Sequence, residues 1–292
     1  SVGSDIRLGI PLGLGKPPEF VNALYQRVKA NPSLSLTILT ALSLEVPSPG
    51  EGVQRNFMEP FFNRVFGNYP GLDYLRDLRK GELPSNVHVH EFFFKSGSFL
   101  NNDLAQQNYI CTNYTHAPRD IVSHGCNVLA QMIAHRVRDG VDEYSLSCNP
   151  ETMRDIMPAM RKLSDVGKPM LVIAQINEHL PFMVNDAQVG KDYFDVIIKP
   201  ATSSTLFAPP NMPVTTTDYM IGLHASALIA DGGTLQIGIG SLGDAIVYGC
   251  ELRQQNNAAY RGILNSTGIE SKFGDLIHRE GGLEPFSQGL YG

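Results

Sequence analysis

The chain has 292 residues, of which 42% are hydrophobic and 18% charged, and its formal net charge is −6 at pH 7. This composition excludes a disordered chain and suffices for one large or two ordinary domains. The acidic balance offers no basic surface for nucleic acid, and no apolar run approaches the ~18 residues of a membrane span. Because the N-terminus shows no basic region followed by an apolar one, we expect a cytoplasmic protein.

Apolar segments rich in β-branched residues alternate with helical patterns along the chain. This alternation predicts an α/β protein with a largely parallel sheet. The strand candidates are 34–42, 87–94, 128–134, 170–176, 196–198 and 234–239.

Two helices between these strands have clear starts. Pro17 and Pro18 open the first, whose predicted inner face consists of Phe20, Val21, Leu24 and Val28. Asn149 is placed to cap the second, with Pro150 at its first helical position. The predicted buried stripe of this helix consists of Met153, Ile156, Met157, Met160 and Leu163. We expect its methionines to fill the core rather than to bind a cofactor.

The segment 207–217 interrupts the periodicity with three prolines and three threonines. It predicts a boundary between an N-terminal domain at 1–210 and a second unit at 211–292. The second unit is predicted to contain a helix, a strand, a glycine turn and a helix. Because a single strand is little for an independent domain, we expect this unit to be the first part of a C-terminal domain, truncated at Gly292.

The segment GIGSLGDA at 238–245 carries the most functional information. Gly238 and Gly240 allow a sharp turn and a close approach of the backbone to a ligand. A helix that starts near Asp244 would direct its free N–H groups and its positive dipole end at that ligand. The pattern is typical of a site for an anion, or for an oxygen that gains negative charge during a reaction.

Gly238, Gly240 and Gly243 also match the dinucleotide pattern GxGxxG. A dinucleotide-binding fold requires a second apolar strand that ends in Asp or Glu about 20 residues later. The segment 251–268 is instead polar and helical in pattern. An oxidoreductase that binds nicotinamide or flavin is therefore the weaker alternative, beside a purely structural glycine turn.

Several segments resemble, in the expected order, blocks of the acetyl-CoA hydrolase/transferase family, which is CoA-transferase family I-like. The first is LGIPLGLGKP at 8–17, similar to the family's first strand and glycine loop, and the last is GTLQIGIG at 233–240 before Asp244 and Ala245. Between them lie EFFF at 91–94, NYTH at 113–116, YSLS at 144–147, and QIN at 175–177 with Leu180 and Pro181. The resemblance covers almost the whole chain. It implies two related open parallel-sheet units of the CoA-transferase type, the second one incomplete.

The resemblance implies an acyl-CoA hydrolase or CoA-transferase as the full-length protein. In the family, a glutamate attacks the thioester carbonyl to form an acyl-glutamyl anhydride, and CoA thiolate then forms a glutamyl-CoA thioester. Transfer to a small carboxylate, or attack by water, completes the cycle. Coenzyme A is then a substrate rather than a permanently bound cofactor, and family analogy favours a homodimer without nucleic acid or membrane partners.

The resemblance also implies the site residues. The main-chain N–H of Leu242 is assigned to the oxyanion hole, and Gly238, Gly240, Ser241 and Gly243 are assigned to CoA or substrate binding. Asn177, at a predicted strand end, is assigned to the same ligand, with a turn-stabilising amide as the alternative.

The nucleophilic glutamate is expected just after Gly292, because 289–292 resembles the segment that precedes it in the family. No catalytic residue is therefore assigned within this chain, and the fragment itself is expected to be inactive. A non-catalytic CoA-binding module is the alternative. The glutamates of the polar helical region are expected to be solvated surface charges: Glu251, Glu270, Glu280 and Glu284.

Three other sets of reactive side chains favour structural roles. His88 and His90 share one face of a strand but have no identifiable third ligand, so no metal site is assigned. Ser123 and His124, near Asp120, lack the nucleophile elbow of a hydrolase. The four cysteines, at 111, 126, 148 and 250, have no paired spacing and are expected to be reduced and mostly buried.

Overall fold

The computed structural model describes residues 2–208 and 212–290. The chain divides into two compact units, Ser1–Phe207 and Ala208–Gly292. The division falls at the start of the proline- and threonine-rich segment. None of the described helices combines the length and the apolar character that a membrane crossing requires.

The first unit is built on a mixed, mostly parallel sheet. Its strands are β1 Asp5–Gly9, β2 Ser35–Thr40, β3 Val87–Glu91, β4 Val128–Arg138, β5 Val141–Ser145, β6 Leu171–Ile176, β7 Gln188–Val189 and β8 Val196–Ile198. Six of them run parallel in the order β3-β2-β1-β4-β6-β8. β5 pairs antiparallel with the last residues of β4, 134–138, and β7 pairs antiparallel with β5. The predicted α/β class is therefore confirmed.

Five of the six predicted strands are present, with small differences at their ends. The largest difference concerns β4, which continues past Ala134 to Arg138 and turns back into β5. The turn residues Asp139 and Gly140 have φ values of 52° and 77°. Two successive positive φ values are what a tight hairpin turn requires, so the turn itself produces a strand that the apolar pattern did not predict.

Among the described residues of the first unit, six α-helices accompany this sheet: α1 Pro18–Lys29, α2 Gly52–Phe66, α3 Asp73–Lys80, α4 Asp103–Gln107, α5 Ala117–Ser123 and α6 Pro150–Asp165. Both predicted helix starts are confirmed, at Pro18 and Pro150. In α1 the fully buried residues are Val21, Tyr25 and Val28, and the predicted Phe20 and Leu24 are half-buried against the same core.

The two faces of the sheet are covered by different helices, as a parallel sheet requires. One core combines β1 and β2 with buried residues of α1 and α3. The other combines β4 and β6 with α5 and α6. The methionine stripe of α6 lies in the second core, with Met153, Ile156, Met157 and Met160 buried, so its predicted packing role is confirmed.

In the second unit, residues 212–290 form four helices: α7 Thr216–Ala227, α8 Ser241–Gln255, α9 Asn257–Ser266 and α10 Ile269–Glu280. They enclose a small core that includes Leu223, Tyr260 and Leu264. The helices α7 and α8 cross at close range, because a Cβ added at Gly222 would lie 2.3 Å from the backbone oxygen of Ala245. Glycine at this crossing lets the two backbones approach without a side chain between them.

The predicted strand at 234–239 is wrong. Thr234 forms an isolated β-bridge. The residues between it and α8 have no regular secondary structure. Ile239 is 94% exposed and Ile237 is 41% exposed. A strand needs a neighbour to pair its backbone groups, and the described part of this unit, 212–290, contains no other strand.

All four cysteines are free thiols, as predicted. Cys126 and Cys250 are buried, whereas Cys111 and Cys148 are exposed, so the expectation of mostly buried thiols holds for half of them. Burial raises the pKa of the Cys126 thiol to about 12.

Candidate functional site

The glycine segment ends directly at the start of α8. Gly240 is the N-cap residue, with φ 142° and ψ 171°, and its carbonyl accepts the amide of Asp244 at 3.1 Å. The three amides before Asp244, those of Ser241, Leu242 and Gly243, therefore have no carbonyl of the helix to bind. A φ of this value is strained for any side chain, so glycine is required at position 240 for conformation.

The three glycines of the segment have different roles. A Cβ at Gly243 would lie 2.1 Å from the carbonyl oxygen of Gly238, so the segment folds tightly over the first turn of α8. By contrast, a Cβ at Gly238 or Gly240 would meet nothing within 4 Å. Gly243 is thus required by packing, whereas Gly238 and Gly240 border open space that a ligand can occupy.

The first turn of α7 lies close to the start of α8. Thr215 and Asp218 form a reciprocal cap at this turn. The Asp218 carboxylate accepts hydrogen bonds from the Thr215 backbone and hydroxyl, at 2.9 and 2.8 Å. These contacts, led by the Thr215 backbone, lower the pKa of Asp218, and the Ser241 side chain adds a smaller contribution. Leu242, which follows Ser241, is 41% exposed.

The arrangement suits an anionic group. The first-turn amides of α8 have no carbonyl of the helix to bind, and the positive end of the helix dipole lies at the glycine segment. Such donors also stabilise an oxygen that acquires negative charge in a transition state. The structure thus brings together five of the six predicted binding residues: Gly238, Gly240, Ser241, Leu242 and Gly243.

Asn177, the sixth, lies in the first unit, directly after β6. Its side chain is 1% exposed, donates to the carbonyl of Ser204 at 2.9 Å and accepts the amide of His179 at 2.9 Å. These contacts use both ends of the amide group inside the protein. They are the contacts of a turn-stabilising residue, which was the alternative role for Asn177.

A buried charged pair at the same edge of this sheet was not predicted. Lys16 and Glu91 are each 2% exposed, in the loop after β1 and at the end of β3. The Lys16 ammonium donates to the carbonyls of Ala41 and Leu42, at 2.5 and 3.3 Å. Burial lowers the pKa of Lys16 to about 7 and raises the pKa of Glu91, and each charge favours the ionised form of the other. The signal in the sequence was a carboxylate inside an apolar strand.

The remaining reactive side chains are occupied locally. The Ser123 hydroxyl and the His124 Nδ1 both contact the backbone oxygen of Asp120, at 2.8 and 2.7 Å. Serine and histidine thus bind a helix carbonyl instead of each other, which is not the geometry of a catalytic triad. The ring centroid of His90 lies 5.9 Å from that of His124. Among the residues that the structure describes, no group of three potential metal ligands is found.

A mostly parallel sheet flanked by helices in the first unit, and a glycine segment that leads into a helix N-terminus in the second, agree with the CoA-transferase type of fold that the resemblance predicts. Similarity to known proteins confirms this prediction. The 4-hydroxybutyrate coenzyme A transferase of Clostridium kluyveri is 29% identical over 99 residues, which are 34% of this chain and 22% of that protein. No family model matches the chain.

A solved structure of RipA shares the fold over most of this chain. A point mutant of RipA, a protein also solved from Yersinia pestis, superposes with a TM-score of 0.54 at 17% identity, covering 87% of this chain and 50% of RipA. A 4-hydroxybutyrate CoA-transferase from Porphyromonas gingivalis gives a TM-score of 0.49 at 17% identity, over 86% of this chain and 48% of that one. The chain thus spans about half the length of these solved relatives and about a fifth of the curated transferase.

Proposed function

We propose that this chain is part of an enzyme that transfers CoA from an acyl-CoA to a small carboxylate, or hydrolyses the acyl-CoA. The observation that carries the proposal is the glycine segment at the start of α8, in a chain whose sequence matches a CoA-transferase. Acyl-CoA and a carboxylate would be its substrates, and CoA would be no permanent cofactor. A homodimer is part of the same proposal.

In the proposed reaction, the amide of Leu242 stabilises the oxyanion that forms when a glutamate carboxylate attacks the thioester carbonyl. Collapse of this intermediate expels CoA thiolate and leaves an acyl-glutamyl anhydride. The thiolate then attacks the glutamyl carbonyl, which releases the acyl carboxylate and forms a glutamyl-CoA thioester. An acceptor carboxylate regenerates an acyl-CoA by the reverse sequence, whereas water releases free CoA.

The proposed nucleophile follows Gly292, as the resemblance of 289–292 implies. Two of the described glutamates of the second unit are paired at its surface, Glu280 with Arg279 and Glu284 with Arg261. Glu251 is exposed and Glu270 is half-buried. These environments support the prediction that they are solvated charges without a role in acyl transfer.

Two other functions were considered from the sequence. A dinucleotide-binding oxidoreductase is disfavoured, because the described residues place no strand before GxGxxG and helices α8 and α9 after it. A CoA-binding module without catalysis would use the same glycine segment. A measurement of catalytic activity is therefore needed to distinguish such a module from an enzyme.

Calorimetric titration of this chain with CoA and with NAD tests the binding proposal. We expect weak binding of CoA and none of NAD. Gly240→Val should abolish the CoA signal, because a β-branched side chain cannot adopt a φ of 142°. Gly262→Val, which adds the same side chain at an unobstructed position of α9, is the matched control. Binding of NAD without a response to CoA would refute the assignment.

Acyl transfer is tested on the full-length protein. We expect CoA to move from acetyl-CoA to 4-hydroxybutyrate or another small carboxylate. Borohydride, added during turnover, should reduce a glutamyl thioester to an alcohol that peptide mass spectrometry locates. These 292 residues alone should show no thioesterase activity, and robust activity from them would contradict the proposed position of the nucleophile.

A further inference from the structure

The helix α2 presents a stripe of apolar side chains to solvent. None of its 15 residues, all of which the structure describes, is buried. Val53, Phe57 and Phe61 lie four residues apart and therefore share one face of the helix. They are 86%, 80% and 45% exposed. Because a surface helix normally turns its polar residues outward, this stripe indicates a surface that another molecule covers.

The opposite side of α2 is already in contact with its own unit. Phe62 and Phe66 lie on that side and are half-buried. The ring centroid of Phe66 lies 5.8 Å from that of Phe62 and 4.8 Å from that of Phe207. Rotation of the helix about its axis would bury the stripe only by exposing these rings. The stripe is therefore available to a partner.

The charges of α2 indicate which partner fits. Arg55 and Glu59 pair with each other within the helix at 3.3 Å. Glu51 at the N-cap and Arg64 in the last turn form no ion pair with the described residues. They stand near opposite ends of the helix, roughly 20 Å apart along its axis. A second, antiparallel α2 would place Glu51 of each copy beside Arg64 of the other, whereas a parallel one would bring like charges together.

The apolar stripe is compatible with the same two-fold arrangement. Phe57 lies midway between Val53 and Phe61, so a two-fold axis at Phe57 sets this ring against its own copy and Val53 against Phe61. The three side chains of both copies expose roughly 800 Å² in total. Together with the polar residues around them, this area lies at the low end of specific interfaces. We therefore expect a dimer with a Kd on the order of micromolar.

We propose that α2 is a dimerisation surface that binds the α2 of a second copy of this chain in antiparallel orientation. The assignment deepens the homodimer of the proposed function by naming its surface, but it is carried by α2 alone and does not rest on acyl transfer. The two can fail separately, because dimerisation is measured by mass and the proposed function by CoA binding and activity.

Sedimentation equilibrium of this chain between about 1 and 200 μM tests the surface. We expect a monomer–dimer equilibrium that Phe57→Glu weakens by at least about tenfold, because it places two carboxylates together in an apolar contact. Leu100→Glu makes the same change at an apolar residue outside α2 that is 73% exposed, and it should leave the equilibrium unchanged. A chain that stays monomeric over this range, or a dimer that Phe57→Glu leaves intact, would overturn the proposal.

Charge reversal at low ionic strength tests the antiparallel orientation. Glu51→Arg and Arg64→Glu each set like charges together at both ends of the paired helices, so each should weaken the dimer by roughly threefold or more. The double variant E51R/R64E makes the charges opposite again and should recover the original affinity. Single variants without effect, or a double variant that is weaker than both, would refute this arrangement.

Discussion

The substitution Gly243→Ala tests whether the tight fold of the glycine segment positions the amides of α8. The new methyl carbon would lie 2.1 Å from the Gly238 oxygen, whereas carbon and oxygen atoms in contact need about 3.3 Å. The segment must therefore move by roughly 1 Å. Overpacking of this kind costs about 1–3 kcal/mol, against a gain of about 0.5–1 kcal/mol from replacing glycine by alanine in a helix. We expect a net loss of about 1 kcal/mol in the free energy of unfolding.

The same displacement moves the backbone at the place where CoA is proposed to bind. We expect the affinity for CoA to fall by about tenfold or more, which corresponds to about 1.4 kcal/mol. Urea unfolding measures the first effect and calorimetric titration the second. Gly262→Ala makes the identical change where the methyl group meets no neighbour, and it should stabilise α9 without affecting CoA. A Gly243→Ala protein with normal stability and normal CoA affinity would refute the reasoning.

Three further predictions concern the rest of the molecule. Because burial lowers the pKa of Lys16 to about 7 from 10.5, the folded protein binds fewer protons than the unfolded chain between these values. The contribution of Lys16 to the free energy of unfolding should therefore rise with pH from about 7 to about 10.5. Urea unfolding across that pH range should show this rise in the original protein and not in Lys16→Met. Gly222→Ala should lower the thermal midpoint, since its methyl group would lie 2.3 Å from the Ala245 oxygen, and an unchanged midpoint would contradict the described crossing. Limited proteolysis should cut first within 207–218, and mass spectrometry should find β6 intact, whereas an early cut in that strand would argue against two units.

Much of the sheet of the first unit was predictable, because β4, β6 and β8 contain largely apolar segments, whereas the polar β1 was not among the candidates. The candidate 196–198 matches β8 exactly in its ends, and 170–176 differs from β6 by a single residue. Strands buried on both faces show this apolar continuity in the sequence itself. The hairpin strand β5 was missed, because it depends on positive φ values at Asp139 and Gly140 and carries a polar sequence.

The segment 234–239 shows the opposite case, a strand pattern in the sequence without a strand in the structure. Leu235, Ile237 and Ile239 alternate with polar residues and glycines, which predicts a strand. Whether a segment with this period becomes a strand depends on a partner elsewhere, and local sequence contains no information about that partner. The prediction of a helix directly after this segment is confirmed by α8, but the pairing of the segment itself does not follow from its pattern.

The candidate site shows the same limit. The glycine segment and the following helix were recognisable, because glycine spacing and helix periodicity are local properties. The requirement for Gly243 in packing, and the burial of Lys16 near Glu91, depend on the path of the chain in three dimensions. Charged residues are almost always exposed, so the carboxylate within the predicted strand 87–94 was a signal for Glu91 alone, and no such signal marked Lys16.

The crossing of α7 and α8 has a consequence for how this protein can change over generations. The atom opposite Gly222 is a main-chain oxygen, which every residue at position 245 would present in the same way. No second-site substitution at 245 can therefore make room for a side chain at 222. In a library of variants selected for stable folding, we expect position 222 to remain glycine while the exposed positions 239 and 242 diversify. Position 222 would then be fixed by the close packing of α7 on α8, whereas 239 and 242 would vary because their side chains are exposed.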